Sequence, residues 1–238
     1  MSDQEAVIFD LDGVLVDSSQ AHFESWQLLC RERGWAMSRA QFDTTFGRTS
    51  REIIREFWGH AVHGDAEVAE VDDRKESIFR ELLAREFPAI DGGVELIDHL
   101  RKAGFALAIG SSAPPDNVAL ALDCLQRRDA FGAIVTADDV QRGKPDPQVY
   151  RLAAQQLGVR PAKAVVIEDA PVGVMAAHAA GLKCIGLAST DRARAQLVAA
   201  DLVVSRLREL DATVIRRVLL DSPGLRTGGH ECPRAALA

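Results

Sequence analysis

The chain has 238 residues, of which 47% are apolar and 26% are charged, and its formal net charge is −7. This composition is ordinary for a soluble globular protein, and the length allows one large domain or a domain with a smaller insertion. The acidic balance argues against a broadly basic surface, so we expect no nucleic-acid partner.

Targeting and redox features indicate a cytoplasmic protein. Asp3 and Glu5 precede any long apolar run, so no signal peptide is expected, and no apolar stretch reaches the length of a membrane span. The four cysteines are far apart and form no Cys-x-x-Cys pair. We interpret them as free thiols, three of them packed as small apolar residues. We expect no membrane partner and favour a monomer.

The first predicted element is a buried strand formed by the apolar residues 6–9. Asp10 ends this strand, Asp12 follows two residues later, and Gly13 allows the backbone to turn close to a ligand. Because open α/β sheets bind ligands at the carboxyl ends of their strands, both acids are candidates for a functional site. Acids are also common at ordinary turns, so this pattern alone is a modest signal.

The next stretch, from Asp17 to about Pro88, has only helical periodicity. The apolar faces of its predicted helices are Phe23, Trp26, Leu29 and Cys30, ending at Gly34; Phe42 and Phe46, ending at Gly47; Ile53, Ile54, Phe57 and Trp58, with Ser50 as the candidate N-cap; and Val68, Val71, Ile78, Phe79, Leu82 and Leu83. This pattern predicts a helical cap domain over residues 17–88, inserted after the first strand.

After Pro88 the predicted strands and helices alternate. The strands are predicted at residues 105–109, 133–135, 164–167, 184–187 and 202–204. The helices are predicted at 94–103, after Asp116 as N-cap, from Asp146-Pro147 to Gly158, at 171–180 and at 207–220. The alternation predicts the α/β class, with a mostly parallel sheet and helices on both faces. We expect residues 1–16 and 89–220 to form this core and residues 221–238 to form a flexible tail.

Polar residues concentrate at the predicted strand ends and in the loop after residue 142. They are Asp10, Ser111, Ser112, Lys144, Glu168 and Asp169. In a parallel sheet these positions share one edge, where clustered carboxylates repel one another unless a cation lies among them. Oxygen ligands with room for water and a phosphate suit Mg²⁺, which is therefore the expected cofactor. Each feature alone is common in turns, helix caps or loops, but the set in this order favours an active site.

These residue types fit a phosphoryl-transfer reaction. The carboxylate of Asp10 can attack phosphorus and form an aspartyl-phosphate. Asp12 can protonate the leaving oxygen and later deprotonate water. The hydroxyl of Ser111, together with Ser112, and the ammonium of Lys144 are the candidate phosphate holders.

Four segments together resemble the motifs of the haloacid dehalogenase superfamily: residues 9–18 (FDLDGVLVDS), 110–112 (GSS), 143–147 (GKPDP) and 166–173 (VIEDAPVG). The resemblance covers the chain to about Leu220 and implies a Rossmann-like, doubly wound core with an inserted helical cap. It implies that Asp10 is the nucleophile and Asp12 the general acid/base. It also implies that Ser111 and Lys144 contact the phosphate.

The same resemblance implies a metal site, with Mg²⁺ bound by Asp10, Asp169 and the main-chain carbonyl of Asp12. Glu168 would lie close to the metal, directly or through water. Residues 21–26 (AHFESW) and 47–52 (GRTSRE) are similar to the cap of β-phosphoglucomutase and related sugar-phosphate phosphatases. The chain therefore resembles the β-phosphoglucomutase-like and phosphoglycolate phosphatase-like subgroup.

The cap is expected to close over the site, exclude water and contact the leaving group. Its candidate residues are His22, Trp26, Arg48, Thr49, Ser50, Arg51 and Lys75. Arg51 is the leading candidate for holding a second anionic group, and His22 is a candidate positioning residue. Trp26 lies on an apolar helix face, which favours a place in the core of the cap. For Lys75 a solvated helix face is the commoner placement.

Three functions fit these residues. The first is a Mg²⁺-dependent phosphatase that acts on a small phosphorylated metabolite such as a sugar phosphate. The alternative is a β-phosphoglucomutase-type mutase, which would need Arg51 and Lys75 to hold the distant phosphate of a bisphosphate. A receiver-like signalling module is less favoured because of the helical insertion and Asp12. A dehalogenase is disfavoured too, because it has no leaving oxygen for Asp12 to protonate.

Overall fold

The computed structural model describes residues 3–45, 48–188 and 194–221. Its centre is a six-stranded parallel sheet with the strand order β3-β2-β1-β4-β5-β6. The strands are β1 Ala6–Phe9, β2 Ala106–Gly110, β3 Ala133–Val135, β4 Ala164–Glu168, β5 Lys183–Leu187 and β6 Leu202–Val204. The helices are α1 Ser19–Arg33, α2 Arg39–Asp43, α3 Ser50–Trp58, α4 Gly64–Arg85, α5 Gly93–Lys102, α6 Pro115–Leu125, α7 Gln148–Gln156, α8 Pro171–Ala179 and α9 Ala212–Leu220. The predicted α/β class, a doubly wound parallel sheet with an inserted helical cap, is confirmed.

The central strands are continuous apolar runs because both faces of the sheet are covered. All four residues of β1 are fully buried, and β1 pairs with β2 on one side and β4 on the other. Val7 and Phe9 belong to the hydrophobic cluster on one face, together with residues of α5, α6 and α9. Ala6 and Ile8 belong to the cluster on the opposite face, together with residues of α7 and α8. The sheet is therefore the middle layer of three.

The helices α1 to α4 form a further layer with its own apolar cluster. That cluster includes Trp26, Leu29, Phe42, Ile54, Trp58 and Val71. The chain enters and leaves this layer at adjacent points, since the Asp17 amide donates to the Pro88 carbonyl at 2.8 Å and Val16 forms a β-bridge with Ala89. The domain boundaries given above stay a prediction.

Three of the predicted helix N-caps are wrong, those of α3, α6 and α7. Thr49, not Ser50, caps α3, because the Thr49 side chain accepts a hydrogen bond from the Glu52 amide and Ser50 is the first helical residue. Asp116 lies in the first turn of α6, whose N-cap is Pro114. At α3 the neighbouring Thr49 and Ser50 carry the same capping signal. At α6 Pro114 gives no such signal, and its side chain makes no capping hydrogen bond.

The predicted helix at 207–220 is interrupted. Leu207–Glu209 forms a short 3₁₀ turn, and Asp211 then caps α9 by accepting a hydrogen bond from the Val214 amide. At α7 the N-cap is Pro147 rather than the predicted Asp146, whose carboxylate nevertheless accepts from the Gln148 amide at 3.0 Å. The helix ends at Gln156, before the predicted end at Gly158.

Some expectations fall outside the described residues, namely those for Phe46, Gly47, Cys232 and the tail from residue 222. The other three cysteines are free, with Cys30 and Cys184 buried and Cys124 exposed. Among the residues that the structure describes, no helix is both long and apolar enough to cross a membrane.

Candidate active site

Three carboxylates lie together at the carboxyl edge of the sheet. Asp10 directly follows β1, Glu168 is the last residue of β4, and Asp169 comes next. Because β1 and β4 are paired neighbours, one oxygen of each carboxylate lies within 4.8 Å of the others. All three side chains are buried.

Two glycines allow the carboxylates to pack against the backbone. Gly13 has a φ of +80°, and a Cβ at this position would overlap the Asp169 carboxylate. A Cβ at Gly173, in the first turn of α8, would overlap the Glu168 carboxylate. The sequence pattern singled out Gly13 but not the role of Gly173.

Lys144 is the buried cation of the site. Its Nζ donates to Asp10 Oδ1 at 2.9 Å and to Glu168 Oε1 at 2.8 Å. Burial raises the pKa of Asp10, Lys144 lowers it and Glu168 raises it again, so that it reaches about 7. Burial alone would lower the pKa of Lys144, but the two carboxylates outweigh burial and raise it above its ordinary value. Lys144 therefore stays charged at neutral pH.

The cluster fits a divalent cation. One oxygen of each of the three buried carboxylates lies within 4.8 Å of the others, and carboxylates this close repel one another unless a cation lies among them. Oxygen ligands of this kind are those that Mg²⁺ prefers. The structure brings together the predicted metal residues Asp10, Glu168 and Asp169, whereas the Asp12 carboxylate is not part of the cluster. Ligation by the Asp12 carbonyl stays a prediction.

The predicted phosphate-binding serines follow β2. Ser111 is buried, its amide donates to the Val135 carbonyl, and its Oγ accepts from the Ala113 amide at 3.0 Å. Ser112 lines the cavity above the carboxylates. The loop thus lies at the same edge as Asp10.

Sequence reasoning missed Tyr150, which forms a hydrogen bond with Glu168. Its hydroxyl donates to Glu168 Oε1 at 3.0 Å, and Lys144 Nζ lies 4.8 Å from the centroid of its ring. Tyr150 is the only tyrosine of the chain and lies in the first turn of the helix after the Gly-Lys-Pro segment. Its position after the Gly-Lys-Pro segment could have indicated a role in the site, but a tyrosine in a helix is also common in the hydrophobic core.

The Asp12 carboxylate faces the cap and is about one third exposed, at 32%. His22 Nε2 lies 3.6 Å from Asp12 Oδ1, and Lys75 Nζ lies 2.9 Å from His22 Nδ1. An ammonium can only donate, so His22 Nδ1 accepts and the ring proton is on Nε2, toward Asp12. Burial raises the pKa of Asp12, but hydrogen bonds with His22 and Ser18 and the charge of Lys75 outweigh it. The pKa of Asp12 therefore lies below its ordinary value.

Lys75 does not lie on a solvated helix face, so that expectation is wrong. Its side chain is 1% exposed, and its Nζ donates to Glu76 Oε1 at 2.8 Å. The ammonium also lies 5.2 Å from the ring centroid of Trp26 and 5.1 Å from that of Phe79. Trp26 is buried within the cap, as predicted.

Glu76 connects the polar groups around Lys75 to the core. Its Oε1 accepts from Ser50 Oγ at 2.5 Å, and its Oε2 accepts from Asn117 Nδ2 at 2.5 Å. Arg80 Nη1 donates to Asn117 Oδ1 at 3.0 Å. A buried polar bridge therefore joins α3 and α4 of the helical layer to α6 of the core.

A cavity of about 1240 Å³ lies between the helical layer and the sheet edge. Asp10, Asp12, Lys144 and Asp169 line its floor. All seven candidate cap residues also line it: His22, Trp26, Arg48, Thr49, Ser50, Arg51 and Lys75. Among the described residues, six arginines and lysines line its roof and rim, and each has a carboxylate partner. The pairs are Arg48 with Glu56 at 2.5 Å, Arg51 with Asp72 at 2.7 Å, Arg55 with Asp65 at 2.9 Å, Lys75 with Glu76 at 2.8 Å, Arg80 with Asp116 at 3.9 Å and Arg142 with Asp146 at 2.8 Å. The cavity is thus lined by compensated charges rather than by a basic surface.

Residues 7–187 match the family described as haloacid dehalogenase-like hydrolase. The match spans most of the chain and contains every predicted active-site residue. The chain belongs to this family. The membership predicted from the four motifs is thereby confirmed.

Two phosphatases and one solved structure are similar to this chain over nearly their whole length. Validoxylamine A 7′-phosphate phosphatase of Streptomyces hygroscopicus subsp. limoneus is 36% identical over 213 residues, which cover 87% of this chain and 95% of the relative. Hexitol phosphatase A of Escherichia coli K12 is 37% identical over 208 residues, covering 87% and 93%. The crystal structure of a β-phosphoglucomutase from Clostridium difficile shares the fold, with a TM-score of 0.82 at 23% identity, covering 91% and 97%.

Proposed function

We propose that this protein is a Mg²⁺-dependent phosphatase that hydrolyses a small phosphorylated, sugar-like compound through an aspartyl-phosphate on Asp10. The enzyme class is that of the phosphoric monoester hydrolases, as predicted, since it fits both the family and the two relatives named as phosphatases. The observation that carries the proposal is the Asp10 carboxylate. It lies in contact with Lys144, among two further acids, at the floor of a cavity that the helical layer covers.

The first step forms a bond between an Asp10 carboxylate oxygen and phosphorus and breaks the ester bond. The electron pair of that bond goes to the leaving oxygen, and Asp12 donates the proton that this oxygen needs. Lys144 and the loop of Ser111 and Ser112 would hold the phosphoryl oxygens in line for attack. Bound by Asp10, Glu168 and Asp169, Mg²⁺ would offset the negative charge of the phosphoryl group and of the carboxylates.

The second step cleaves the aspartyl-phosphate. Asp12, now ionised, takes a proton from water, whose oxygen bonds to phosphorus as the bond to Asp10 breaks. Inorganic phosphate leaves and both carboxylates return to their starting states. The lowered pKa of Asp12 keeps its carboxylate ionised for this second step, whereas the negative charge of a phosphate bound beside it would raise that pKa and favour the protonated form that the first step needs. The Nε2 proton of His22 would orient the carboxylate.

The names of the two relatives support a polyhydroxylated compound as the substrate, since one acts on a hexitol phosphate and the other on validoxylamine A 7′-phosphate. The cavity of about 1240 Å³ has room for more than a bare phosphate. The mutase alternative needs a cationic grip on a second phosphate. The pairing of Arg51 with Asp72 and of Lys75 with Glu76 supports hydrolysis over that alternative.

The test is phosphate release from a panel of hexose, hexitol and pentose phosphates, with Mg²⁺ and with excess chelator. We expect Mg²⁺-dependent release from a few compounds, and loss of more than about 1,000-fold in the Asp10→Asn variant. Asp123→Asn, which removes an exposed acid of α6, is the matched control and should keep full activity. Isomerisation of β-glucose 1-phosphate with little free phosphate would replace the phosphatase by the mutase. Undiminished release by Asp10→Asn would refute both.

A further inference from the structure

The positively charged side chains on the roof of the cavity are paired with carboxylates. Among the described residues, each arginine and lysine that reaches the cavity from the roof or rim has a carboxylate within 4.0 Å. The floor differs, because its carboxylates outnumber Lys144 and fit a metal ion. The charge pattern therefore provides for one phosphate, at the floor, and for no second anion.

Arg51 is the cation for which this compensation is clearest. Its Nε donates to Asp72 Oδ2 at 2.7 Å. The Arg51 side chain is 50% exposed and can reach a ligand, whereas the Asp72 side chain behind it is only 9% exposed. Asp73 and Asp138 also act electrostatically on the Arg51 guanidinium. One exposed cation thus stands among three carboxylates.

An anionic group that approached Arg51 would be close to one cation and three carboxylates. Its attraction to the guanidinium would be offset by repulsion from Asp72, whose low exposure limits screening by water and salt. A hydroxyl or an amine at the same place would meet no such repulsion and could hydrogen bond to the carboxylates. Repulsion of the wrong ligand is an established way to obtain specificity.

We propose that Asp72 is a specificity-determining residue, which cancels the charge of Arg51 and restricts the enzyme to phosphate monoesters whose remaining part carries no negative charge. The class of substrate is then a monophosphate of a neutral or amino-bearing polyol. Bisphosphates and phosphorylated sugar acids are excluded by charge rather than by size. This inference rests on the proposed function, because it concerns the leaving group of the same reaction.

The test compares compounds that differ only in the charge of the distant end. The best neutral hexose or hexitol 6-phosphate of the panel is measured beside the corresponding amino sugar 6-phosphate, sugar-acid 6-phosphate and 1,6-bisphosphate. We expect the native enzyme to favour the first two by about tenfold or more in kcat/KM. Asp72→Asn should raise kcat/KM for the two doubly anionic compounds by about tenfold, chiefly through KM.

Two variants show whether the gain comes from Arg51. In the double variant Asp72→Asn with Arg51→Gln the gain should disappear, whereas Asp72→Glu should restore the native preference. Glu81→Gln, an exposed acid on the same helix, is the control and should leave all ratios within about twofold. A native enzyme that prefers the bisphosphate, or an Asp72→Asn variant with unchanged ratios, would overturn the inference.

Binding separates this inference from the proposed function. Calorimetry on the Asp10→Asn protein and on the same protein with Asp72→Asn measures affinity for the four compounds without turnover. If native enzyme releases no phosphate but the Asp72 change still strengthens binding of the doubly anionic compounds, the proposed function fails and the charge selection stands. If phosphate is released but the affinities do not change with Asp72→Asn, the proposed function stands and the charge selection fails.

Discussion

Glu76 offers the strongest test of how the helical layer is held to the core. Its carboxylate is buried and joins three elements, because it accepts hydrogen bonds from Lys75, Ser50 and Asn117. Replacing it by glutamine keeps the size of the side chain and removes the charge. The variant therefore leaves the buried ammonium of Lys75 without its carboxylate partner.

The expected loss follows from the pKa of Glu76. Burial raises this pKa, but the charge of Lys75 and the hydrogen bonds from Lys75 and Ser50 outweigh burial and lower it from 4.5 to about 2. At 1.36 kcal/mol per pKa unit the ionised group stabilises the fold by roughly 3 kcal/mol. Breaking a buried ion pair by removing one partner costs about 3–5 kcal/mol, which agrees. We expect Glu76→Gln to lower the free energy of unfolding at pH 7 by roughly 3 kcal/mol.

The pH dependence has a definite sign. Because the folded-state pKa is lowered, the contribution is fully present above about pH 4.5 and is lost as the pH falls toward 2. Between pH 6 and pH 3.5 the native protein should lose roughly 1 kcal/mol more than the variant. The difference between the two proteins should shrink over this interval.

The assay is urea unfolding followed by tryptophan fluorescence and by circular dichroism. All three tryptophans, Trp26, Trp35 and Trp58, lie within or against the helical layer, so fluorescence reports on that layer. Glu81→Gln is the control, since it changes an exposed acid of the same helix. A Glu76→Gln protein within about 0.5 kcal/mol of native at both pH values would refute the reasoning.

Three further predictions concern the site itself. Asp12→Asn should lower kcat by about 100- to 10,000-fold, and rapid-quench measurements show whether the phosphoenzyme accumulates. An unchanged kcat would exclude Asp12 as the general acid/base. Tyr150→Phe removes the hydrogen bond to Glu168 and should weaken Mg²⁺ affinity by about 10- to 100-fold, measured by Mg²⁺ titration of activity. An unaltered titration would show that the hydroxyl does not contribute to Mg²⁺ binding. Gly13→Ala forces a Cβ into the Asp169 carboxylate at a positive φ and should abolish Mg²⁺-dependent release while circular dichroism stays native; near-native activity would show that the loop can move.

The edge of the sheet could be predicted from the sequence because its chemistry is encoded locally. A parallel strand buried on both faces is a continuous apolar run, so its end is visible where polar residues begin. Asp10, Glu168 and the Gly110 loop each follow such a run, and parallel pairing then forces them to one edge. Sequence alone therefore located the floor of the site.

Helix caps were predictable only to within a residue or two. Thr49 and Ser50 carry the same capping signal, and which of them caps α3 depends on what the other contacts. Ser50 Oγ donates to Glu76, a residue 26 positions away on another helix. Local propensity contains no information about such a partner.

The roof of the cavity was decided by tertiary structure. The sequence offered Arg51 and Lys75 as cations, but their net effect depends on the carboxylates that α4 places beside them, Asp72 and Glu76. Electrostatic attraction depends on distance and burial, which sequence spacing does not give across two helices. The sequence by itself thus determined the fold class and the candidate reacting groups, whose positions follow from the periodicity of single strands. Only the packing of helix on helix decided which charges remain available to a substrate.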